Sequence, residues 1–415
     1  MNPSHSHIMV LGAGIVGVAT ALYLQRAGLT VTIIDRGAPG EGCSKGNAGV
    51  ISTGSVVPLP QPGIVKEVPR MLFDSNGPLC IRWRYLPRLL PWLYRFLRCA
   101  NSDTATASAA ALAALQAQAL DAYWPLLDRA GARTLVRTGG WLLAYESERA
   151  YAADERGRMF QRHHQIRFEE LAPGQLQERV PALANNVKRG VFFPDTAYTI
   201  NPLRLVEVLA DDFKRHGGEL IRAHVSNVVV ESGDRIRVQT NNGPHETTTV
   251  VVALGAWSGK LAATLGNPVP LDTERGYHVM LPQAAVELPL PIMFMDKHFA
   301  ASPMEHGLRL AGTVEFAGLE APPNYKRARI LMKQARRLIP GLDTTGASEW
   351  MGFRPTVPDY LPIIGRSPRY RNVYFAFAHQ HLGLTLAAVT GRLIANLVAG
   401  GESSIDLTPY RIDRF

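Results

Sequence analysis

Gly12-Ala13-Gly14-Ile15-Val16-Gly17 fits G-x-G-x-x-G, and Asp35 stands eighteen residues beyond Gly17. Glycines so spaced suit a dinucleotide. The first permits a tight turn, the second lets the backbone approach a pyrophosphate, and the third lets helix pack on strand. Asp35, with Arg36 beside it, can accept hydrogen bonds from ribose hydroxyls. Next comes Gly42-Cys43-Ser44-Lys45-Gly46-Asn47-Ala48-Gly49. This small polar loop can bring backbone N–H groups and the Ser44 hydroxyl to phosphates and ring edges. Near the other end, His379 and His381 offer imidazoles for acid–base work, although a purely positional role suffices for both.

These residues need elements to hold them. Ile8-Met9-Val10-Leu11 is an apolar run suited to a buried parallel strand. A helix is expected from Val18 to Ala27, stopped by Gly28, then a strand over Thr30–Ile34 ending at Asp35. The helix N-terminus would present free N–H groups and a positive dipole end to phosphates. The motif itself does not separate FAD from NAD.

The 415 residues suggest two or three domains, and 46% hydrophobic with 19% charged residues excludes a disordered chain. The net charge of +9 fits nucleic acid, anionic lipid, anionic small molecules or simply a basic surface. Cys43, Cys80 and Cys99 are too few and too scattered for a disulfide framework or a zinc site, so a reducing cytosol is the default. His163-His164 lacks a third ligand at suitable spacing, and no metal centre is expected. The first seven residues show no basic stretch leading into an apolar one, so no secretory signal is expected. No uninterrupted apolar 18-mer occurs, and no spanning helix is expected.

Leu79–Cys99 carries five arginines, two tryptophans and no acid. Two readings stand: a helical hairpin with a cationic face, or a segment lying in a membrane interface. Ser102–Leu127 is alanine-rich and helical. A helix over Leu203–His216 ends at Gly217-Gly218, and strands are expected over 219–223, 225–231, 235–240 and 247–253. Gly276–Leu281 opens a further strand set. Val373–Phe377 reads as a strand, then a turn over His379–Thr385, then a helix to Ala399.

The chain resembles the glycine oxidase / D-amino acid oxidase class of FAD enzymes, and within it the bacterial D-amino acid dehydrogenases. The anchors are Gly12–Gly17 with Asp35, Ser44 and Asn47-Ala48-Gly49, Arg354-Pro355 through Gly365, and His379 through Thr385. The resemblance implies FAD. It matches Val225 to a residue whose backbone touches adenine, and Ala253-Leu254-Gly255-Ala256-Trp257 to a strand end beside the phosphates. It sets Tyr277 and Glu315 at positions on the sheet roofing the flavin, where either contacts substrate or merely packs. Arg354 matches the arginine that grips the substrate carboxylate, for which a planar guanidinium fork is suited; from sequence alone, pairing with Asp359 is an equal alternative. The resemblance also implies that the loop Gln380-His381-Leu382-Gly383-Leu384-Thr385 and the N-terminus of the helix after it face the pyrimidine end of the flavin. The family often has Gly-His-Gly where this chain has Ala378-His379-Gln380. Membrane contact through 79–99 also gains support from the resemblance.

The expected fold is α/β: a Rossmann-like FAD-binding domain built from discontinuous segments (1–60, 166–265 and 345–415), with an α+β substrate domain (61–165 and 266–344) carrying a mixed or antiparallel sheet. The expected reaction oxidises a D-amino acid to its imino acid, which hydrolyses to 2-oxo acid and ammonium. Electrons pass to a quinone or respiratory carrier, or to oxygen. The alternatives are an amine oxidase or dehydrogenase of D-proline, hydroxy-D-proline, sarcosine or glycine, a hydroxy-acid dehydrogenase, and a flavin-binding protein without activity. The expected location is cytoplasmic, with peripheral contact at the inner face of the cell membrane as an option. No nucleic acid partner is expected. Cys43 and His5 leave covalent flavin attachment open.

Overall fold

The computed structural model describes residues 7–64, 74, 77–232 and 235–415. His5 lies outside them. The first layer is a six-stranded sheet in the order Glu219–Arg222, Thr30–Asp35, His7–Leu11, Thr249–Val252, Val373–Phe377, Ile363–Arg366. All neighbours are parallel except the last pair. The central strands are apolar along almost their whole length because helices cover one face and the three-stranded antiparallel sheet over 225–247 helps cover the other.

Helix Ile15–Arg26 begins at the glycine turn, and Gly28 beyond it takes a φ of +81° that stops helical propagation. It packs against helix Gly383–Val398. Gly391 is where the two backbones meet: a Cβ there would lie 2.7 Å from the Ala19 carbonyl oxygen. The stretch Gln380–Val398 is by length and mean hydropathy apolar enough to cross a bilayer, although Arg392 and Asn396 interrupt it, and 67% of its 18-residue window is buried inside the protein. A helix apolar all round is equally what a core position requires.

The second layer is a larger, mostly antiparallel sheet. Its order is Ser348–Thr356, Asp272–Leu281, Gly307–Phe316, Phe299–Met304, Ile292–Phe294, Trp141–Tyr145, Arg189–Phe193, Glu169–Leu171, and Leu79–Ile81 pairs with Gly307–Phe316. Helix Lys326–Leu338 covers one face through Ala328, Leu331, Ala335 and Leu338, against Tyr277, Val279 and Leu310. The other face carries His278, Arg309 and Trp350, which meet the loop at 45–47.

The nucleotide layer is thus assembled from distant segments, and a mixed sheet lies over it. Sheet membership cuts across the expected segment boundaries in three places. Glu169–Leu171 and Arg189–Phe193 join the second sheet, as does Ser348–Thr356. Helices Ser102–Gln116 and Ala119–Ala130 pack into the nucleotide layer, where the Tyr123 hydroxyl meets the Leu384 carbonyl. Long-range pairing, which leaves no compositional break in the chain, decides this.

Segment 79–99 forms a short strand, Leu79–Ile81, and a helix, Leu86–Cys99. Pro87 sits in the first turn, where its missing N–H costs nothing, and Pro91 lies inside the helix. Leu89, Trp92 and Phe96 turn inward onto Phe316 and Tyr360. Trp83, Leu90, Tyr94 and Leu97 are exposed.

Candidate active site

The glycine turn builds one wall of a cavity of about 690 Å³. Gly12 and Gly17 do not touch it. Gly12 has a φ of +113°, and a Cβ on Gly17 would lie 1.9 Å from the Gly12 carbonyl oxygen. Their absent side chains let strand, turn and helix close. Gly14 differs: a Cβ there would meet only the Ser44 hydroxyl, at 3.5 Å, and would project into the cavity. This is the cradle a pyrophosphate needs, at the N-terminus of a helix. The Asp35 carboxylate stands beside it, accepting from the Ala13 N–H at 2.7 Å and the Gly37 N–H at 2.9 Å. The Ser44 hydroxyl accepts from the Ile15 N–H at 3.0 Å. Arg36 lies over the Trp257 ring, 4.0 Å from its centroid.

Ile15, Val16, Asp35, Arg36, Ser44 and Asn47 line the cavity, as do Val225, Ala253, Leu254, Gly255 and Trp257. His379, Gln380, Gly383 and Leu384 complete the wall. Ala48, Gly49, His381, Leu382 and Thr385 are not on it. Gly49 makes a left-handed turn that closes the loop, and Thr385 is buried with its hydroxyl accepting from the Ser52 N–H. Cys43 is a free thiol on the wall. Pro202, Val206, His224, Lys260 and Thr264 also line the cavity without any motif to announce them. A site of this volume and lining fits FAD.

Loop 42–49 is clamped from the second sheet. Arg309 donates to the carbonyls of Lys45 and Asn47, at 2.9 and 2.6 Å. Burial holds its pKa down at about 10. The Trp350 ring sits on Gly46, where no Cβ would fit. His278 stacks on Trp350 and meets the Gly46 carbonyl at 3.2 Å. Burial, reinforced by the Arg309 charge, pushes His278 down to about 3, so it is neutral.

Arg354 leaves the edge strand between Phe353 and Pro355, both of which line the cavity. Its guanidinium crosses the neighbouring strand over Gly276, which has no side chain to obstruct it. It ends on the Thr313 carbonyl, at 3.0 Å. It makes no ion pair among the described residues. Asp359 is taken by Arg414, at 2.7 Å, so the alternative pairing of Arg354 with Asp359 is overturned. The Arg354 charge reaches Cys43 and His381.

Tyr277 and Glu315 do not line this cavity, and of the two alternatives the sheet register gives them the packing one. Gly276 and Arg354 share a face, so Tyr277, one residue along, points to the other. There its hydroxyl binds the Glu315 carboxylate, which also takes Arg82 at 2.9 Å. Burial, then the bond to Glu315, raises Tyr277 to about 12. His379 is buried and bonded to the Thr390 hydroxyl at 2.9 Å. Burial pushes it down to about 3, so it is neutral.

The sequence reading passed over Glu274, Thr313 and Tyr360. Glu274 faces Arg354 across the strand pair. Thr313 and Tyr360 hold left-handed backbones, with φ of +56° and +59°. The positions Ala378 and Gln380 do the same, at +63° and +50°. That explains why glycines suit this turn in the resembled family, and Gln380 anchors itself by donating to the Tyr360 carbonyl.

Residues 7–397 match the family model described as DAO, FAD dependent oxidoreductase. A D-amino-acid oxidase of Bradyrhizobium diazoefficiens is 37% identical over 420 residues, covering 100% of both chains. A D-amino acid dehydrogenase of Paramagnetospirillum magneticum is 33% identical over 429 residues, covering 98% of each. Among solved structures, glycine oxidase from Geobacillus kaustophilus superposes with a TM-score of 0.76 at 22% identity, covering 99% of each chain. Its fold is that described here. Turn, ribose acid, cavity and family match agree: the protein is an enzyme with FAD as its cofactor, and the chain belongs to the DAO family of FAD-dependent oxidoreductases.

Proposed function

We propose that this enzyme oxidises a D-amino acid to its imino acid, which water converts to the 2-oxo acid and ammonium. The observation that carries the proposal is the guanidinium of Arg354, which follows the cavity-lining Phe353 in the chain and is bonded to the Thr313 carbonyl and, among the described residues, to no carboxylate. Such a fork is placed to accept a substrate carboxylate bidentately. The names of the relatives above support an amino acid of D configuration.

When bound, FAD supplies the acceptor for the two electrons and the hydrogen leaving the substrate Cα. The chain's part is orientation. Arg354 fixes the carboxylate and so the direction of the Cα–H bond. The N-terminus of helix Gly383–Val398 meets the cavity at Gly383 and Leu384, and its positive dipole end favours negative charge there. His379 stays neutral and tied to Thr390, and Tyr277 faces away. In this proposal the substrate is bound as the neutral amine, with its proton lost to water beforehand, so that no protein base is required.

We propose further that the electrons go to a membrane quinone and that the enzyme works in the cytoplasm against the inner face of the cell membrane. The support is helix Leu86–Cys99 with its approach, where exposed Trp83, Leu90, Tyr94 and Leu97 alternate with exposed Arg84, Arg88, Arg95 and Arg98. Arg82 is excluded from this face by its bond to Glu315.

The test is the visible spectrum of the holoenzyme without oxygen, titrated with paired D- and L-amino acids, glycine and sarcosine. Bleaching by D-forms is expected, with half-saturation raised at least about tenfold in Arg354→Met, as loss of a charge-assisted pair predicts. Bleaching by glycine or sarcosine alone would overturn the substrate class. Stoichiometric peroxide in air would overturn the quinone.

A further inference from the structure

Seven non-glycine residues among those described hold a left-handed backbone, and four of them lie at this site: Thr313, Tyr360, Ala378 and Gln380. For a β-branched or aromatic residue such a φ is an outlier that its surroundings must enforce. At Thr313 the outcome is a carbonyl turned to Arg354. At Tyr360 two contacts follow. Its carbonyl receives Gln380, and its hydroxyl binds the Glu274 carboxylate. Phe96 packs its ring against Tyr360, with centroids 6.0 Å apart.

Glu274 stands directly opposite Arg354 in the antiparallel pair, so the two side chains leave the sheet on one face. Glu274 is 4% exposed. A buried carboxylate at such a position would ordinarily pair with the arginine. It does not. Arg354 leans over Gly276 to the Thr313 carbonyl, and Glu274 turns to Tyr360. Burial raises the Glu274 carboxyl, and the Tyr360 bond and then the Arg354 charge oppose that rise. Were Glu274 to pair with Arg354, the guanidinium fork would be closed to any other carboxylate.

We propose that Tyr360 is a positioning residue whose hydroxyl retains the Glu274 carboxylate and thereby keeps Arg354 open to the substrate carboxylate. This rests on Arg354 being the carboxylate anchor. Removing the hydroxyl leaves a buried carboxylate one partner short, with Arg354 as the cation opposite. Glu274 would then compete with substrate from within.

The test uses holoenzyme and propanoate, a carboxylate without an amine, with binding read by calorimetry. Tyr360→Phe is expected to weaken propanoate at least about tenfold, the loss a competing charge-assisted pair imposes. Adding Glu274→Gln to Tyr360→Phe should restore binding, which a merely structural role for Tyr360 would not do. Glu274→Gln alone should bind propanoate at least as tightly as the parent, and it decides the matter if Tyr360→Phe loses its flavin. Weaker binding in Glu274→Gln, or no rescue in the double variant, overturns the proposal while the anchor stands. Unchanged propanoate binding in Arg354→Met removes the anchor and the proposal with it.

Discussion

At the scale of single residues, glycines of one motif divide by what a side chain would strike. Gly17→Ala drives a Cβ into the Gly12 carbonyl, so the turn must open. The expected cost is about 3 kcal/mol or more, read as a lowered melting temperature of the apoprotein. Gly14→Val strikes only the Ser44 hydroxyl and the cavity, so the apoprotein should melt near the parent's temperature yet retain no flavin. Yellow, stoichiometric Gly14→Val protein would contradict the pyrophosphate site. The buried histidines make a separate forecast. His278 and His379 are held near 3 by burial, with Arg309 adding to the effect at His278, against about 6.5 in an unfolded chain. Below that unfolded value the open chain binds protons that the fold refuses. Stability is therefore full above about pH 6.5 and falls with acid, by up to about 1.4 kcal/mol per pH unit for each ring. His379→Gln should flatten the decline in melting temperature between about pH 6.5 and pH 5; parallel slopes would count against a neutral His379.

At the scale of elements, two helices look alike in apolar content and differ in what covers them. Gly383–Val398 is largely buried and packs against Ile15–Arg26 through Gly391. Leu86–Cys99 buries only Leu89, Trp92 and Phe96, leaving arginines and aromatic or aliphatic side chains in solvent. Near an anionic surface each exposed arginine contributes about 1 kcal/mol. Replacing Arg84, Arg88, Arg95 and Arg98 by Ser should abolish cosedimentation with vesicles containing phosphatidylglycerol and leave flavin reduction by substrate intact. Equal cosedimentation of parent and variant would remove the membrane from the proposal. The inner side of the same helix packs Phe96 against Tyr360, so this element also braces the residue that holds Glu274.

At the scale of the whole molecule, the two layers meet at loop 42–49. Arg309, His278 and Trp350 reach down from the second sheet, and Gly14 and Asp35 face up from the first. Arg309→Met strips a donor from two carbonyls of that loop. A loss of about 1–3 kcal/mol is expected, seen as flavin released at lower temperature, before the helices melt. Simultaneous release and unfolding, at the parent's temperature, would show that the loop does not depend on the clamp.

The nucleotide half of the site was legible because it is local. Strand, glycine turn, helix, strand and Asp35 are contiguous, and their geometry follows from side-chain size and short-range hydrogen bonding. The resemblance at Arg354-Pro355 singled out the arginine proposed as the anchor. For Tyr277 and Glu315 the sequence left contact with substrate and packing open because facing depends on register: in a strand, one step along the chain turns a side chain to the opposite face. Pairing between Asp272–Leu281 and Ser348–Thr356 sets that register, and it is settled only when distant segments meet. The opposition of Glu274 to Arg354, the left-handed backbones at Thr313 and Tyr360, and the Arg309 clamp all arise in that assembly. By itself the sequence determined the strand, glycine turn, helix and acid that make a dinucleotide-binding turn. Tertiary structure alone decided which charges face one another around Arg354, because burial and strand pairing, and not adjacency in the chain, fix their partners.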